Sequence, residues 1–381
     1  MRSLTIKNFK CFDDKRVNFR NLTVLAGGNG AGKSTVIQSI LLFAQSFEKN
    51  SDNQIPVKLF LNDYYCELGS SERLNNEDSD KELIEFIFED NNNKSVTFKY
   101  EEDENDSNIL KIRNLDNVID EKKGTNVLNF LHYFDFIGAD RFGPRTFHHT
   151  DKNFSMLRVG KLGEYTALVL DKYKWIRFDD ESGDLLLNVN NYMSEIFGFI
   201  RVNSDFIKNA NIAMLEIKNH PKLDFQSPVN MPYGVSYVLP IIVSCLVRQL
   251  PKNKLLDEYS ILEENELIII ENPEAHLHPS AQSKLGYFLA KMSKKVQIIV
   301  ETHSEHIING IRLATLENVI SNDDVIINFL ERKESEIEPE VKEINLNQLG
   351  DLSDWPKGFF DQQALDSFNI IKAKSALHVS K

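Results

Sequence analysis

The chain has 381 residues, enough for one large domain with insertions or for two modest domains, and its 41% hydrophobic and 27% charged residues are typical of a globular protein. A formal net charge of −13 argues against a protein that coats nucleic acid through bulk electrostatics, although it allows one local basic groove. The cysteines, Cys11, Cys66 and Cys245, form no CxxC pair, so neither a disulfide framework nor a thiolate zinc site is indicated.

The first residues alternate apolar and polar side chains and lack the apolar core of a signal peptide. The longest apolar stretch, residues 235–247, is too short to span a bilayer. We therefore expect a cytoplasmic protein without membrane contacts.

The N-terminal part of the chain reads as strand, glycine-rich loop and helix. Residues 4–25 contain three short runs with period-two alternation, which predict strands, and residues 34–47 carry apolar side chains at helical spacing. Alternating runs at 82–89 and 95–100, within an acidic stretch, predict an antiparallel side lobe.

The middle of the chain, residues 151–225, mixes helical and strand patterns. It predicts helices at 164–173 and 190–199 and a strand near 212–217. No apolar heptad repeat is sustained, so a long coiled coil is not expected. This part of the chain reads as a helical insertion.

The C-terminal half alternates helices and strands, which predicts an α/β fold with a mostly parallel sheet. From residue 233 onward the predicted elements are a helix through 250, a strand at 266–271, a helix at 279–292, a strand at 296–301 and a helix from 304.

Residues 27–34, GGNGAGKS, fit the pattern G-x-x-x-x-G-K-[ST]. Glycines let backbone amides curl around phosphate oxygens, Lys33 can reach the β- and γ-phosphates, and Ser34 offers a hydroxyl to Mg²⁺. The alternative interpretation is a glycine-rich turn without a ligand, but the position of these residues between a strand and a helix favours a phosphate-binding loop. The predicted nucleotide-binding residues here are Asn29, Gly30, Ala31, Gly32, Lys33, Ser34 and Thr35.

A second group of residues follows the apolar run 267–270. A P-loop ATPase needs one acid at such a strand end to hold Mg²⁺ and usually a second acid to orient the attacking water. Glu271 suits the first role, whereas Asn272 cannot accept a proton, so Glu274 is the nearest candidate for the second. The alternative is a buried strand followed by a solvated acidic turn.

Histidines near the next strand offer two interpretations. His303, directly after the run 296–300, could sense the γ-phosphate through a neutral ring. A zinc site would use His303 together with His276, His278 and His306. Zinc is disfavoured, because His276 and His278 are one residue apart on a turn and the nearby carboxylates are assigned to Mg²⁺.

The segment 233–237, YGVSY, precedes the predicted helix. Gly234 and Ser236 are the residue types expected of a loop that touches phosphate. The alternative interpretation is an ordinary helix N-cap at Ser236.

Together these motifs resemble the ABC-type ATPase superfamily, in its SMC-, RecF- and OLD-like branch of stand-alone ATPases. A nearer resemblance, covering almost the whole chain, is to predicted bacterial AAA-15-like ATPases with a C-terminal domain of unknown function, often found in antiphage defence. The residues that carry it are LTIKNFKCF and LTVLAGGNGAGKST near the N-terminus, ADRFGPR (139–145), VGKLGEYT (159–166), YGVSYVLP (233–240), ENPEAHLHPSAQ (271–282), ETHSEHIINGIR (301–312) and DWPKGFFDQ (354–362).

The resemblance implies a P-loop NTPase fold of the ABC/SMC-head kind, ATP and Mg²⁺ as cofactors, and a homodimer or higher oligomer that sandwiches ATP. The loop 27–35 of one subunit would face Gly234 and Ser236 of the other, with residues 279–282 near the dimer seam. The implied catalytic residues are Lys33, Glu271, Glu274 and His303, and Ser34 and Glu271 would hold the metal.

The sequence departs from the wider superfamily at several points. The segment 233–237 is not the LSGGQ of transporters, Tyr237 stands where relatives often carry Gln, and no Q-loop glutamine can be placed. Asn272 belongs to this branch and implies slow or partner-regulated turnover rather than a dead site.

The expected organisation has five segments. They are a first part of the ATPase head with the P-loop at 1–50, a β-rich insertion lobe at 51–130, a middle segment with a helical insertion at 131–230, a second part of the head at 231–335 and a tail domain at 336–381.

Family analogy favours an ATPase switch that controls a separately encoded effector, such as a nuclease, in antiphage defence. The alternative is a DNA-repair or chromosome-associated ATPase that clamps DNA, which the acidic composition disfavours. Two further functions are disfavoured. The motor subunit of a transporter would carry the LSGGQ signature, which the segment 233–237 does not match. A nuclease of the OLD kind would carry a metal-binding Toprim domain after the ATPase head, and the residues after His303 show no such metal-binding set.

Overall fold

A computed structural model describes residues 1–49, 56–113, 127–128, 130–131, 134–149, 157–180, 182–255, 266–333, 336, 338–356, 359 and 362–379. Residues 357, 358, 360 and 361 of the DWPKGFFDQ motif lie outside these ranges.

The strands of the described ranges form three sheets. They are β1 (Ser3–Phe9), β2 (Phe12–Asn18), β3 (Leu22–Gly27), β4 (Lys58–Phe60), β5 (Ile84–Glu89), β6 (Ser95–Glu102), β7 (Ile109–Ile112), β8 (Phe134–Ile137), β9 (Phe147–His149), β10 (Arg201–Ile207), β11 (Ile212–Lys218), β12 (Leu267–Glu271), β13 (Gln297–Glu301), β14 (Val325–Glu331) and β15 (Glu340–Ile344).

The α-helices of the described ranges are short, and none combines the length and hydrophobicity needed to cross a membrane. The longest of these helices has 18 residues. The helices are α1 (Lys33–Lys49), α2 (Thr166–Tyr173), α3 (Leu185–Phe197), α4 (Tyr233–Val247), α5 (Pro279–Met292), α6 (Glu305–Leu316) and α7 (Gln362–Val379).

The central sheet has the strand order β15-β14-β3-β13-β12-β8. All neighbours pair in parallel except β15, which adds to the edge antiparallel to β14. The mixed, mostly parallel sheet predicted from the sequence is therefore confirmed. Strand β14 and the edge strands β8 and β15 were not predicted.

The central strands are nearly all apolar because both faces of the sheet are buried. In β12, Ile268 and Ile270 point into one hydrophobic core, which the helices α2 to α6 complete. Leu267 and Ile269 point into the opposite core, which α1 and the antiparallel sheet complete. Side chains that alternate between two faces thus bind two layers to one sheet.

The predicted antiparallel side lobe is a six-stranded sheet with the order β2-β1-β5-β6-β7-β4. It packs on α1 through an aromatic cluster around Phe43. The ring of Phe43 lies 4.7 Å from that of Phe88 and 5.2 Å from those of Phe86 and Phe98. Such edge-to-face contacts hold the helix that follows the glycine-rich loop in a fixed orientation.

The helical insertion contains α2, α3 and a small antiparallel sheet of order β10-β11-β9. The strand predicted near 212–217 is present as β11, whereas β9 and β10 were not predicted. The predicted start of the second helix at 190 is wrong. The helix begins at Leu185, because the Asp184 side chain caps it by accepting a hydrogen bond from the Leu187 amide at 2.8 Å.

A buried ion pair fixes α4 against the edge strand β8. Oδ2 of Asp135, on β8, accepts hydrogen bonds from the Ser244 hydroxyl at 2.7 Å and from the Arg248 guanidinium at 3.4 Å. Both charged side chains are at most 3% exposed. Removing one partner of such a pair typically costs about 3–5 kcal/mol, so the orientation of α4 is strongly determined.

Candidate functional site

The glycine-rich loop lies between β3 and α1, at the carboxyl edge of the central sheet. Gly27 has a φ of +139°, and a Cβ added there would lie 2.0 Å from the carbonyl oxygen of Leu330 on β14. Only glycine therefore allows the neighbouring strand to approach this closely. Asn29 and Gly30 are exposed, whereas Ala31 and Gly32 are buried at the start of the helix.

Lys33 is the first residue of α1 and is 4% exposed. Its side chain points back into the loop that precedes the helix. Its Nζ donates hydrogen bonds to the carbonyl oxygens of Gly27 and Gly28, each at 2.9 Å. Oε1 of Glu301 lies 3.8 Å from the same nitrogen. Burial lowers the pKa of Lys33, and the charge of Glu301 opposes that shift.

The next two residues of α1 have different surroundings. Ser34 is exposed, so its hydroxyl is accessible at the N-terminal end of the helix. Thr35 is buried, and its Oγ1 lies 3.5 Å from Sγ of Cys11 on the β1–β2 hairpin. Of the two hydroxyls, that of Ser34 is the one placed to reach a ligand.

Two carboxylates end neighbouring parallel strands. Glu271 of β12 and Glu301 of β13 are directly paired in register. Oε2 of Glu271 accepts a hydrogen bond from the Ala139 amide at 3.3 Å. Burial and the neighbouring Glu301 raise the pKa of Glu271 to about 7, and burial also raises that of Glu301.

This pair of carboxylates fits a divalent cation. Two half-buried or buried acids side by side are costly when both are ionised, and a bound cation would remove that cost. Mg²⁺ usually takes one or two protein carboxylates and obtains its other ligands from water and phosphate. Ser34 and Glu271 are the residues that would hold it.

Glu274 lies in the turn after β12 and is anchored to the turn after β13. Its Oε2 accepts a hydrogen bond from the Thr302 hydroxyl and its Oε1 accepts one from the His303 amide, both at 2.7 Å. Charge-assisted bonds of this kind fix a carboxylate strongly. Partial burial lowers the pKa of the His303 side chain, with Lys33 adding to that shift and Glu274 opposing it. The ring is therefore neutral at pH 7.

Asn272 occupies a sharp turn between Glu271 and Glu274. Its φ is +43°, a left-handed conformation that Asn adopts more readily than most residues. Its amide donates to the Glu301 carbonyl at 2.9 Å, and its own carbonyl accepts from Nη2 of Arg141 at 2.6 Å. Asn272 thus shapes the turn that brings Glu274 back to the strand edge.

The segment with Gly234 and Ser236 was predicted as a loop before a helix, and this is wrong. Helix α4 already begins at Tyr233, with Pro232 rather than Ser236 as its N-cap. The preceding proline fixes its own φ near the value that a helix start requires, so the first turn forms here. Helix α4 contacts β12 and β8, so Gly234 and Ser236 lie two strands away from β3 of the same chain.

The structure brings together Lys33, Ser34, Glu271, Glu274 and His303 at one sheet edge. Gly234 and Ser236 lie in the first turn of α4, which contacts the turn after β12 at His276. The predicted helix to residue 250 ends at Val247. The zinc alternative finds no support, because none of its histidines belongs to a metal-binding group within the described ranges.

Sequence reasoning missed Glu301, Thr302 and Arg141 as site residues. Glu301 had a signal, since it ends an apolar strand in the same way as Glu271. Thr302 follows it directly. Arg141 lies in the ADRFGPR motif, but its role could not be assigned, because its contacts are with backbone carbonyls that meet only in the folded chain.

Comparisons with known proteins identify the family and the fold of the chain. Residues 3–197, slightly more than half of the chain, match a family described as "AAA domain". The chain belongs to the AAA-domain family. Residues 176–309 of this AAA-domain protein also match a family described as "AAA domain, putative AbiEii toxin, Type IV TA system". Residues 320–368 match a "protein of unknown function (DUF3696)".

Solved structures show the same fold. An Smc head bound to the C-winged helix domain of ScpA aligns with a TM-score of 0.51 and 13% identity, over 91% of this chain and 98% of that chain. An Smc head with an extended coiled coil, bound to the C-terminal domain of ScpA derived from Pyrococcus furiosus, aligns with a TM-score of 0.50 and 11% identity, over 97% and 99%. The AAA-domain protein therefore has the P-loop NTPase fold of an ABC/SMC-like ATPase head.

The hydrogen bond from Thr302 to Glu274 gives a first prediction. Thr302→Val removes the donor without changing the volume of this buried side chain, so Glu274 loses one of its two anchors. A hydrogen bond to a charged group is worth about 1.5–3 kcal/mol, and we expect phosphate release to slow by roughly tenfold or more. Nucleotide affinity should stay close to that of the wild type.

Thr302→Ser is the matched control, because it keeps the hydroxyl. Turnover and nucleotide binding would be measured for all three proteins, with thermal unfolding to confirm that each is folded. Equal turnover in the Val and Ser variants would contradict the role of Thr302 in positioning Glu274.

Proposed function

We propose that the protein binds and hydrolyses ATP, with Mg²⁺ as the metal, and uses the cycle as a dimerisation switch. The observation that carries this proposal is the convergence of Lys33, Glu271 and Glu274 at the carboxyl edge of one parallel sheet. The AAA-domain family match and the Smc-head fold support it.

Each residue has a distinct proposed role in phosphoryl transfer. Lys33 and the amides of the loop 27–34 bind the phosphates, and Mg²⁺, when bound by Ser34 and Glu271, offsets phosphate charge. Glu274 orients a water molecule opposite the leaving ADP and accepts its proton as the oxygen attacks the γ-phosphorus. His303 contacts the γ-phosphate through its neutral ring.

We propose that Gly234 and Ser236 complete the site of a second subunit. Helix α4 contacts β12 and β8, which lie beyond β13 in the strand order counted from β3, and this supports a role opposite the loop of a partner chain. The segment that leads into α4 also exposes large apolar side chains, which is typical of an interaction surface. These residues are Leu223, Phe225, Val229 and Tyr233, each 42–57% exposed.

We further propose that the switch controls a separately encoded effector, such as a nuclease, in antiphage defence. Residues 176–309 are similar to a family described as "AAA domain, putative AbiEii toxin, Type IV TA system". That similarity to a toxin-system family is what supports the defence role. DNA clamping is the alternative proposal, which the Smc-head fold allows and the net charge of −13 disfavours.

The dimerisation switch predicts distinct behaviour for two variants. Glu274→Gln keeps the shape of the side chain but cannot accept a proton, so we expect it to accumulate as an ATP-bound dimer with turnover reduced roughly a hundredfold. Lys33→Ala should lose nucleotide binding, so its oligomeric state should be the same with and without ATP. Phosphate release and light scattering with and without ATP would measure both effects.

Wild type that binds no ATP would contradict the proposal at its first step. ATP binding with no turnover in wild type would make the protein a nucleotide-gated scaffold instead.

The defence role predicts that the gene, expressed with its neighbours, protects cells from phage and that Lys33→Ala abolishes the protection. Plaque counts for the wild-type and variant operons would measure it. The operon without the gene is the control for protection by the neighbours alone. Unchanged plaque counts together with no binding to any neighbouring gene product would contradict the effector proposal but not the ATPase.

A further inference from the structure

A buried arginine, Arg141, lies between the strand end that carries the proposed catalytic acids and the start of α4. We propose that Arg141 and Tyr237 are positioning residues that couple the two nucleotide sites of the dimer. They link the strand end that carries Glu271 and Glu274 to the first turn of α4, which carries Ser236. The inference rests on the proposed function, in which Ser236 acts on the nucleotide of the partner.

Arg141 holds together the ends of two strands. It is 3% exposed, and its Nη1 donates to the carbonyl oxygens of Gly138 at 2.8 Å and Glu271 at 2.7 Å. Its Nη2 donates to the carbonyl oxygen of Asn272 at 2.6 Å. Gly138 follows β8, and Asn272 follows β12, so one guanidinium fixes both strand ends.

The charge of Arg141 is costly where it lies. Burial lowers the pKa of Arg141 to about 10, although Tyr237, Glu274 and Glu271 oppose the shift. Within the described ranges, no carboxylate pairs with Arg141 at salt-bridge distance. Besides its three hydrogen bonds to carbonyl oxygens, the guanidinium makes one contact with an aromatic ring.

That contact is with Tyr237. The guanidinium carbon of Arg141 lies 5.1 Å from the centre of the Tyr237 ring, within cation–π range. The same ring packs edge-on against His276, with 4.7 Å between the ring centres. Tyr237 therefore contacts Arg141 on one side and the turn after β12 on the other.

The first turn of α4 touches that turn at a second point. A Cβ on Gly234 would lie 2.8 Å from the carbonyl oxygen of His276, so the helix and the turn are in backbone contact. Glu274 lies in the same turn, two residues before His276. A shift of the helix start that carries Ser236 must therefore displace the turn that carries Glu274.

The two ends of this link serve different nucleotides in a twofold dimer. Glu274 acts on the ATP bound to its own chain, whereas Ser236 faces the ATP bound to the partner. Closure of one site, sensed at Ser236, would thus reach the catalytic carboxylate of the other. The expected result is that the two sites close and hydrolyse ATP in a concerted manner.

The test uses substitutions of Tyr237, which donates none of the hydrogen bonds that hold the strand ends. Tyr237→Leu removes the aromatic face, and Tyr237→Phe keeps it. Tyr237→Met is a second way to remove the ring if the Leu variant folds poorly. The matched control is Tyr192→Leu, because Nζ of Lys291 lies at the same 5.1 Å from the centre of the Tyr192 ring, away from the site.

Turnover as a function of ATP concentration and affinity for a non-hydrolysable ATP analogue would be measured, with thermal unfolding to confirm folding. Concerted hydrolysis makes the wild-type turnover rate a sigmoidal function of ATP concentration. We expect Tyr237→Leu to lose this sigmoidal dependence and to have a maximal rate roughly tenfold lower, while its affinity for the analogue stays unchanged. Tyr237→Phe and Tyr192→Leu should behave like wild type. Arg141→Gln combined with Tyr237→Leu should be no slower than Arg141→Gln alone, because each substitution removes the same cation–π contact.

Wild-type cooperativity and rate in Tyr237→Leu or Tyr237→Met would overturn the inference and leave the proposed function intact. Equal losses in Tyr237→Phe and Tyr237→Leu would also overturn it, since the ring would then not be the coupling element. A wild-type protein that neither dimerises nor turns over ATP would overturn the proposed function itself.

Discussion

The parallel register of β3, β13 and β12 is the constraint on which the site depends. Glu301 lies beside Leu25 of β3 on one side and beside Glu271 of β12 on the other. The glycine-rich loop begins two residues after Leu25. Two strand ends from the C-terminal half of the chain are therefore brought to one edge with a loop from the N-terminal part. A slip of a single residue would turn the carboxylates to the opposite face.

Charge balance at this edge explains why so many ionisable groups can be buried together. Lys33 supplies a positive charge next to Glu301, and Glu274 receives two hydrogen bonds from the turn after β13. Within the described part of the chain Glu271 accepts one hydrogen bond, from the Ala139 amide, and its pKa is raised to about 7. The least compensated acid is thus the one that a cation would stabilise most, as expected of a metal ligand at a P-loop site.

Much of this arrangement could be predicted from the sequence, because it depends on local patterns. The run 267–270 is apolar and short and ends in an acid, and the glycine pattern precedes a helical period, so both strand ends were identified. Strands β8 and β14 were missed, since short or continuous apolar runs do not distinguish strand from helix without their neighbours. The first turn of α4 was taken for a loop because Gly234 and Ser236 are poor helix formers in isolation. There, contact with the turn at His276 outweighs intrinsic propensity.

The central claim is that each active site is built from two subunits, and a mixing experiment tests it most directly. Ser236→Arg and Lys33→Ala proteins, each inactive alone, would be combined and their phosphate release measured. In a mixed dimer the intact loop of the first variant faces the intact Ser236 of the second, so activity should return. Coupling to the nucleotide-free second site keeps it below roughly a quarter of the wild-type level, which is the value for independent sites. Full activity of Ser236→Arg alone, or no recovery in mixtures that light scattering shows to be dimeric, would contradict the account.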